Sequence, residues 1–429
     1  MNAPAPAPAP TRLGQLQRGR GAGFLAAVAA GPAAHDDLLQ CVLGDARRDR
    51  ELESRARYYG ELLVAIGLPL EPLLRPLHEV LDAVLAHDVL AAAWVLGHAP
   101  TRDLLAAAST AEPVVVGITG CLWGERWARP VDLPPRAHAA WLRLDLQHAD
   151  SAQCARRPAA PTPLASRSVD EVLELARGPH PVRRDRLLGE LCARGDEATR
   201  ARLAEVVTSD RVLERARLAA RALGLLADER LLPLAEDLFA REDVFAAPER
   251  RLPAELRMRR ACLADWAQHL PGPVALPLAR TWHDRGGYFT QVAGALFELY
   301  ATAADRRRLE AFVAAHATGD ASIGDQLDAL GRLGDPASVP LLVEVATTTP
   351  SSRARIGAVR ALTSVAAHPL AQTVLHEALW DCEDEATELA CAFATAISPG
   401  AHQRITTLAT HALVDAELAA RALQRTSRR

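Results

Sequence analysis

The sequence contains no lysine, and all of its 49 basic residues are arginine. This absence excludes a Walker A loop, a Schiff-base enzyme and a kinase-type phosphate lysine, because each of those sites needs a lysine amine. Asparagine is almost absent too, since Asn2 is the only one. We attribute the arginine excess to GC-rich coding bias, so arginine content alone indicates no anion-binding function.

Cysteine pairs and long apolar runs are also missing. The seven cysteines are scattered without a C-x-x-C pair, a pattern that predicts reduced thiols in the cytoplasm rather than a disulfide framework or a zinc site. No apolar run is long enough to span a bilayer, so we expect no membrane partner. Residues 1–11 lack the apolar core of a signal peptide and predict a disordered polyproline-II tail.

The composition favours a large helical protein. The chain has 429 residues, of which 49% are apolar and only 4% aromatic, and its formal net charge is −4. The apolar residues are mainly alanine and leucine, which favour helices. This length predicts several domains or one repeat array, and the charge excludes a global basic field that would attract nucleic acid.

Residues 335–366 contain the clearest helical hairpin. Asp335 is placed to cap a helix whose first position is Pro336. A turn at Thr349 and Pro350 precedes a second helix, and alanines 354, 358 and 361 permit close helix packing. Such a hairpin cannot bury its apolar face alone, which indicates a repeat.

The same order of acidic cap, helix, turn and arginine-rich helix recurs at 195–226, and the caps Asp196 and Asp228 are 32 positions apart. This hairpin resembles the HEAT repeat family, including the HEAT-like repeats of phycobilisome lyases, most firmly over 195–238 and 303–398. The resemblance implies an all-α fold, an α-α superhelix (solenoid) of about ten hairpins.

Four segments follow from this interpretation. We predict a disordered tail at 1–11, degenerate HEAT-like repeats at 12–150, a linker or long loop at 151–168, and a HEAT-repeat solenoid at 169–429. The strand-like residues 113–118 are interpreted as the start of a buried helix.

The aromatic cluster GCLWGERWARPVD is one candidate site. Trp123 and Trp127 lie at i and i+4, with Arg126 between them, so a helix would place both rings on one face. The cluster resembles the nucleotide pocket of HEAT-like alkylpurine DNA glycosylases. Two other interpretations are that the tryptophans fill the apolar core or that they form a protein-contact site. Core filling is the favoured interpretation of the three.

The His-Glu pairs are a second candidate. HEAT-like deoxyhypusine hydroxylases, which resemble this chain in repeat type, carry iron on several such pairs. Here only His78–Glu79 and His376–Glu377 are suitable, and neither has the second histidine of an H-E-x-x-H site. We interpret both as exposed pairs on a helix surface, and we predict no metal and no cofactor.

The second helices of the best repeats carry arginines that predict a discontinuous basic strip on an inner groove. They are Arg215, Arg217, Arg221, Arg353, Arg355 and Arg360. Such a strip suits an acidic protein segment or a phosphate backbone. Because acidic residues are interleaved with the arginines, an acidic protein segment is the more economical partner.

Two N-terminal segments also carry charged residues of possible functional interest: 17–24 and 48–63. QRGRGAGF, with Arg18 and Arg20, has the wrong glycine spacing for a dinucleotide loop and no lysine for a P-loop. We interpret it as a flexible lead-in whose arginines contact either a partner or solvent, and solvent is favoured. The alternating charges of residues 48–63 predict a solvated helix face.

Together these patterns favour a non-catalytic protein-binding scaffold, because stacked repeats create an extended binding surface. The alternative is a nucleic-acid-binding protein, including a glycosylase-like one. A metal-dependent hydroxylase is the third hypothesis.

Overall fold

The computed structural model describes residues 6–44, 47, 55–74, 84–107, 164, 167–177, 181–241, 252–317, 323–395, 398–411, 413–414 and 416–427. Within these residues there are 22 α-helices and no β-strand, so the prediction of an all-α protein is confirmed. None of the described helices is long and apolar enough to cross a bilayer.

The helices are α1 Arg12–Gln17, α2 Gly21–Ala30, α3 His35–Gly44, α4 Ala56–Ile66, α5 Val84–Val95, α6 Ala99–Ala107, α7 Val169–Glu174, α8 Pro181–Arg194, α9 Glu197–Ser209, α10 Leu213–Leu225, α11 Leu232–Phe239, α12 Ala254–Gln268, α13 Gly272–Arg285, α14 Tyr288–Tyr300, α15 Arg306–His316, α16 Gly324–Leu333, α17 Val339–Thr348, α18 Ser352–Thr363, α19 Pro369–Ala378, α20 Asp384–Phe393, α21 Pro399–Leu408 and α22 Ala416–Ser427. Short 3-10 helices are Gly31–Ala34, Leu175–Arg177, Glu229–Leu231, Ala303–Asp305 and Pro336–Ser338.

Short polar side chains start several of these helices. The Asp196 carboxylate accepts a hydrogen bond from the Thr199 amide at 2.7 Å and caps α9. Asp335 accepts from the Ala337 amide, and Pro336 takes the first position of the 3-10 turn that leads into α17, as the sequence predicts. Each cap satisfies an amide that the helix leaves without a partner.

The chain divides into two compact units. The terminal unit comprises Met1–Cys154 with Glu310–Arg429, and the central unit is Ala155–Leu309. The predicted segment boundaries at 11, 150 and 168 stay predictions.

In the terminal unit, helices of the C-terminal part pair with their sequence neighbours. Helices α17 and α18, α19 and α20, and α21 and α22 form hairpins, while α16, α18, α20 and α22 pack side by side. Ala354, Ala358 and Ala361 are buried, as predicted. Gly331 lies so close to Ala361 that an added Cβ would be 2.8 Å from the Ala361 Cα, which shows how closely α16 and α18 approach.

The N-terminal part of the same unit has its own apolar core, in which α4 is central. Every residue from Ala56 to Leu63 is buried. The Tyr58 hydroxyl donates to the Arg20 carbonyl at 2.6 Å, and the Tyr59 hydroxyl donates to the Leu16 carbonyl at 2.9 Å. The interpretation of 48–63 as a solvated face is therefore wrong for 55–63, and residues 48–54 lie outside the described residues.

The central unit is organised around α9, α10, α12, α13 and α14. Hairpins α9–α10 and α13–α14 form from sequence neighbours, and α12 packs against both α10 and α14. Trp266 and Trp282 are fully buried, and the Trp266 indole donates to the Asp228 carbonyl at 2.9 Å. This packing fixes α10 and α12 side by side, and the candidate site lies on α10.

Candidate functional site

One face of α10 lines an arginine-rich pocket of about 100 Å³ in the central unit. Glu214, Arg217, Leu218 and Arg221 follow a spacing of three or four residues, which places them on a single helix face. The lining also includes Ala176, Arg184 of α8 and Leu213. A single water needs only about 10–15 Å³ of such volume, so the pocket has room for a group of several atoms.

Asp265 on α12 orients two of these arginines. Its carboxylate accepts from Arg217 Nε at 2.6 Å and Nη2 at 3.1 Å, and from Arg221 Nε at 3.2 Å. The Asp265 side chain is only 7% exposed, whereas those of Arg217 and Arg221 are 41% and 32% exposed. The buried acid therefore holds two half-exposed guanidinium groups in fixed positions, and its hydrogen bond raises the pKa of Arg217.

The pocket keeps unused donors. Within the described part of the chain, neither terminal nitrogen of Arg221 has an acceptor, nor does Nη1 of Arg217. Arg184 is exposed and forms no ion pair with a described residue. Three guanidinium groups thus line the pocket with a single carboxylate, that of Glu214, while Asp265 pairs with two of the three. This excess of positive charge suits a carboxylate or another small anion.

Arg215 is on the same helix but faces a different group of side chains. Its guanidinium contacts the carboxylates of Glu174 at 2.8 Å, Asp210 at 3.0 Å and Asp170 at 3.7 Å. Three acids therefore surround Arg215, and it does not line the pocket. Of the three arginines predicted on this helix, Arg217 and Arg221 reach the candidate site and Arg215 does not.

In the terminal unit, the arginines of α18 do not extend this site. Arg355 is 1% exposed and forms a bidentate pair with Asp381, at 2.9 and 3.0 Å. Its placement on an exposed inner groove is therefore wrong, because the loop after α19 supplies a buried carboxylate. Arg360 pairs with Asp328 at 2.8 Å and with Glu385, whereas Arg353 is exposed.

Arg18 and Arg20 are buried, each with 7% exposure. The interpretation as solvent-facing residues of a flexible lead-in is therefore wrong. Both guanidinium groups donate to backbone carbonyls at the end of α17, namely those of Thr348 and Thr347. Burial, together with the nearby Arg20, Arg355 and Arg55, lowers the pKa of Arg18.

Several predicted groups lie outside the described residues or do not converge. Trp123, Arg126, Trp127 and the His78–Glu79 pair lie outside the described residues. His376 and Glu377 are half-buried rather than exposed, and they contact different partners: the Thr395 carbonyl and the Arg20 guanidinium.

Reactive thiols and metal ligands give no second site in the described ranges. There, no three His, Cys, Asp or Glu side chains are grouped as a metal ion would require. Cys41, Cys262, Cys382 and Cys391 are buried free thiols, as predicted, and burial raises the pKa of Cys41 and Cys262 to about 12. These cysteines are therefore protonated at neutral pH and are poor nucleophiles.

The sequence interpretation missed Arg184 and Asp265. Arg184 belongs to an arginine-rich stretch of α8 that resembles any solvated helix face. Asp265 does carry a signal, because an acid between Leu263 and Trp266 on a buried helix face needs a cationic partner. The sequence does not reveal which arginines supply that partner.

The fold and the pocket define an all-α protein with sequential helix pairing and a candidate anion site. Comparison with known proteins yields no matching protein-family model and no significantly similar curated sequence.

Proposed function

We propose that the chain is a HEAT-like α-solenoid that acts as a non-catalytic protein-binding scaffold. The pairing of successive helices and the side-by-side packing of every second helix support this proposal, because stacked hairpins generate long surfaces for binding. A cytoplasmic location remains a prediction from the cysteine pattern alone.

The partner that the pocket favours is an acidic segment of another protein. The observation that carries this proposal is the set of free donors on Arg217, Arg221 and Arg184 around one concavity. A glutamate or aspartate side chain entering it could accept charge-assisted hydrogen bonds without displacing Asp265 from Arg217. Such bonds contribute about 1.5–3 kcal/mol each when water is excluded.

Removal of Arg184 is expected to weaken this binding about tenfold, which corresponds to roughly 1.4 kcal/mol. The measurement is fluorescence anisotropy of a labelled peptide of alternating glutamate and alanine, titrated with wild-type protein and with Arg184→Gln. Arg184 has no ion pair among the described residues, so the substitution leaves the described ion pairs intact. Arg221→Gln is expected to act in the same direction.

Arg202→Gln is the matched control, since Arg202 is a half-exposed arginine of α9 that already pairs with Asp170 and Glu205. If Arg184→Gln and this control bind the labelled peptide with equal affinity, the pocket is not the binding site for the acidic segment. Affinity capture from the native cell, with and without nuclease, tests the nucleic-acid alternative. Loss of the captured material on nuclease treatment would favour that alternative, in which affinity falls steeply with salt.

A further inference from the structure

The segment Arg18-Gly19-Arg20-Gly21 joins α1 to α2 and lies against the C-terminal hairpins of the terminal unit. Arg18 Nε donates to the Thr348 carbonyl at 3.1 Å, and Arg20 Nη1 donates to the Thr347 carbonyl at 2.9 Å. These carbonyls belong to the last turn of α17, where helix carbonyls lack intrahelical partners and carry partial negative charge. Two guanidinium groups therefore cap one helix end.

Arg20 is also held by an acid of the next hairpin. Its Nη2 donates to Glu377 Oε1 at 2.5 Å, and the Arg20 side chain is only 8% exposed. Arginine reaches the carbonyl on α17 and the carboxylate on α19 with two separate nitrogens of one planar group, and the single nitrogen of a lysine side chain does not reproduce that geometry.

The two glycines fit the same surface at the level of the main chain. The Cys382 amide donates to the Gly19 carbonyl at 2.9 Å. Gly19 has a φ of +68°, and a Cβ there would lie 2.2 Å from the Cys382 Sγ. A Cβ on Gly21 would lie 1.9 Å from the Glu377 carbonyl oxygen. Each position therefore excludes every residue except glycine.

From these contacts we infer that α17–α20 form a peptide-binding groove that recognises an Arg-Gly-Arg-Gly segment, and that residues 18–21 occupy it as a strap bound in cis. Each of the four residues is discriminated by a separate contact, and a main-chain hydrogen bond fixes the register, as in peptide recognition. Arg-Gly-Arg-Gly occurs once in the sequence. This inference is independent of the acidic-partner proposal, because it concerns the other unit and a basic ligand.

A labelled peptide of residues 12–24 tests the groove in trans on the full-length chain. The wild-type protein is expected not to bind it, because the tethered strap has a millimolar effective concentration. The variant Gly19→Ala/Arg20→Gln, which weakens the strap but leaves the groove intact, is expected to bind it. A peptide carrying Gly21→Ala is expected to bind at least about tenfold more weakly, because its Cβ would clash with the Glu377 carbonyl oxygen. The Arg20→Lys peptide, and protein that additionally carries Glu377→Gln, are expected to show a similar loss, because each weakens the charged hydrogen bond between Arg20 and Glu377.

Two results with the folded variant would overturn the inference. It could bind the native and Gly21→Ala peptides equally well, or it could bind neither peptide. Circular dichroism reports whether the variant folds. If Gly19→Ala/Arg20→Gln does not fold, hydrogen exchange measured on the single variant Glu377→Gln tests the inference instead. Release of the strap is expected to accelerate exchange of the Cys382 amide while the amides within α20 keep their protection. An unchanged rate for Cys382 would equally contradict the groove.

Discussion

Replacing Glu61 with glutamine is expected to lower the free energy of unfolding of the terminal unit by about 3–5 kcal/mol, the usual effect of removing one partner from a buried ion pair. Glu61 is 8% exposed, and its carboxylate accepts from Arg404 Nη1 at 2.7 Å and from Arg57 Nη1 at 3.3 Å. Burial opposes ionisation of Glu61, but Arg404 and Arg57 outweigh it, and the pKa of Glu61 lies below its ordinary value.

The effect arises from charge, because glutamine preserves the shape of the side chain and leaves no cavity. Among the residues that the structure describes, Arg404 has no other carboxylate within 4 Å, so the variant leaves a buried cation without an anion. Arg57 keeps Asp384 at 2.8 Å. The measurement is the urea midpoint and slope of unfolding.

Two further variants make this result specific. Glu197→Gln removes an exposed acid that pairs with Arg230 at the surface of the central unit, and it is expected to change the stability by less than about 1 kcal/mol. Glu61→Gln/Arg404→Gln removes both charges and is expected to recover part of the loss. A loss below about 1 kcal/mol for Glu61→Gln alone would show that this pair does not hold α4 against α21.

The local features of the fold could be predicted from the sequence because their causes are local. The cap at Asp335, the turn near Pro350 and the buried alanines of α18 each depend on residues within a few positions of one another. The same holds for the pairing of α17 with α18.

The burial of α4 and of Arg18 and Arg20 could not be predicted, because carbonyl and carboxylate groups that accept from their guanidinium groups are distant in sequence. Arg20 and Glu377 are 357 positions apart, and Glu61 and Arg404 are 343 apart. A charged helix with distant partners has the same local pattern as a solvated one. Charge alternation therefore predicts a surface only where the chain supplies no distant counter-ions.

Only part of the candidate pocket could be predicted, again because some of its residues come from different helices. The face of α10 could be inferred from helical spacing, and it contains Arg217. Arg184 and Asp265 reach the site from other helices, so their contribution depends on packing. Arg215, two positions before Arg217, lies on another side of α10 and meets three acids there. The sequence does not reveal which side of the helix borders the pocket.

Acidification is expected to destabilise the terminal unit through His411, by about 3 kcal/mol between pH 6.5 and pH 4. His411 accepts the Leu413 amide on Nδ1 at 3.2 Å and approaches Glu61 Oε1 with Nε2 at 3.3 Å. These contacts suit the neutral ring with its proton on Nε2. Burial, with Arg57 and Arg404 nearby, lowers the pKa of His411 from 6.5 to about 4, although Glu61 acts in the opposite direction.

The unfolded chain therefore binds a proton at His411 between pH 6.5 and pH 4 while the folded chain does not. As the pH is lowered through this window, the free energy of unfolding therefore decreases by about 1.4 kcal/mol per pH unit. His411→Gln removes this contribution, so the difference between wild type and variant isolates it from other titrating groups. His402→Gln, at a half-buried histidine on α21, is the control and is expected to keep the wild-type pH slope. Parallel wild-type and His411→Gln curves from pH 4 to pH 7, obtained by urea denaturation, would show that His411 titrates alike in both states.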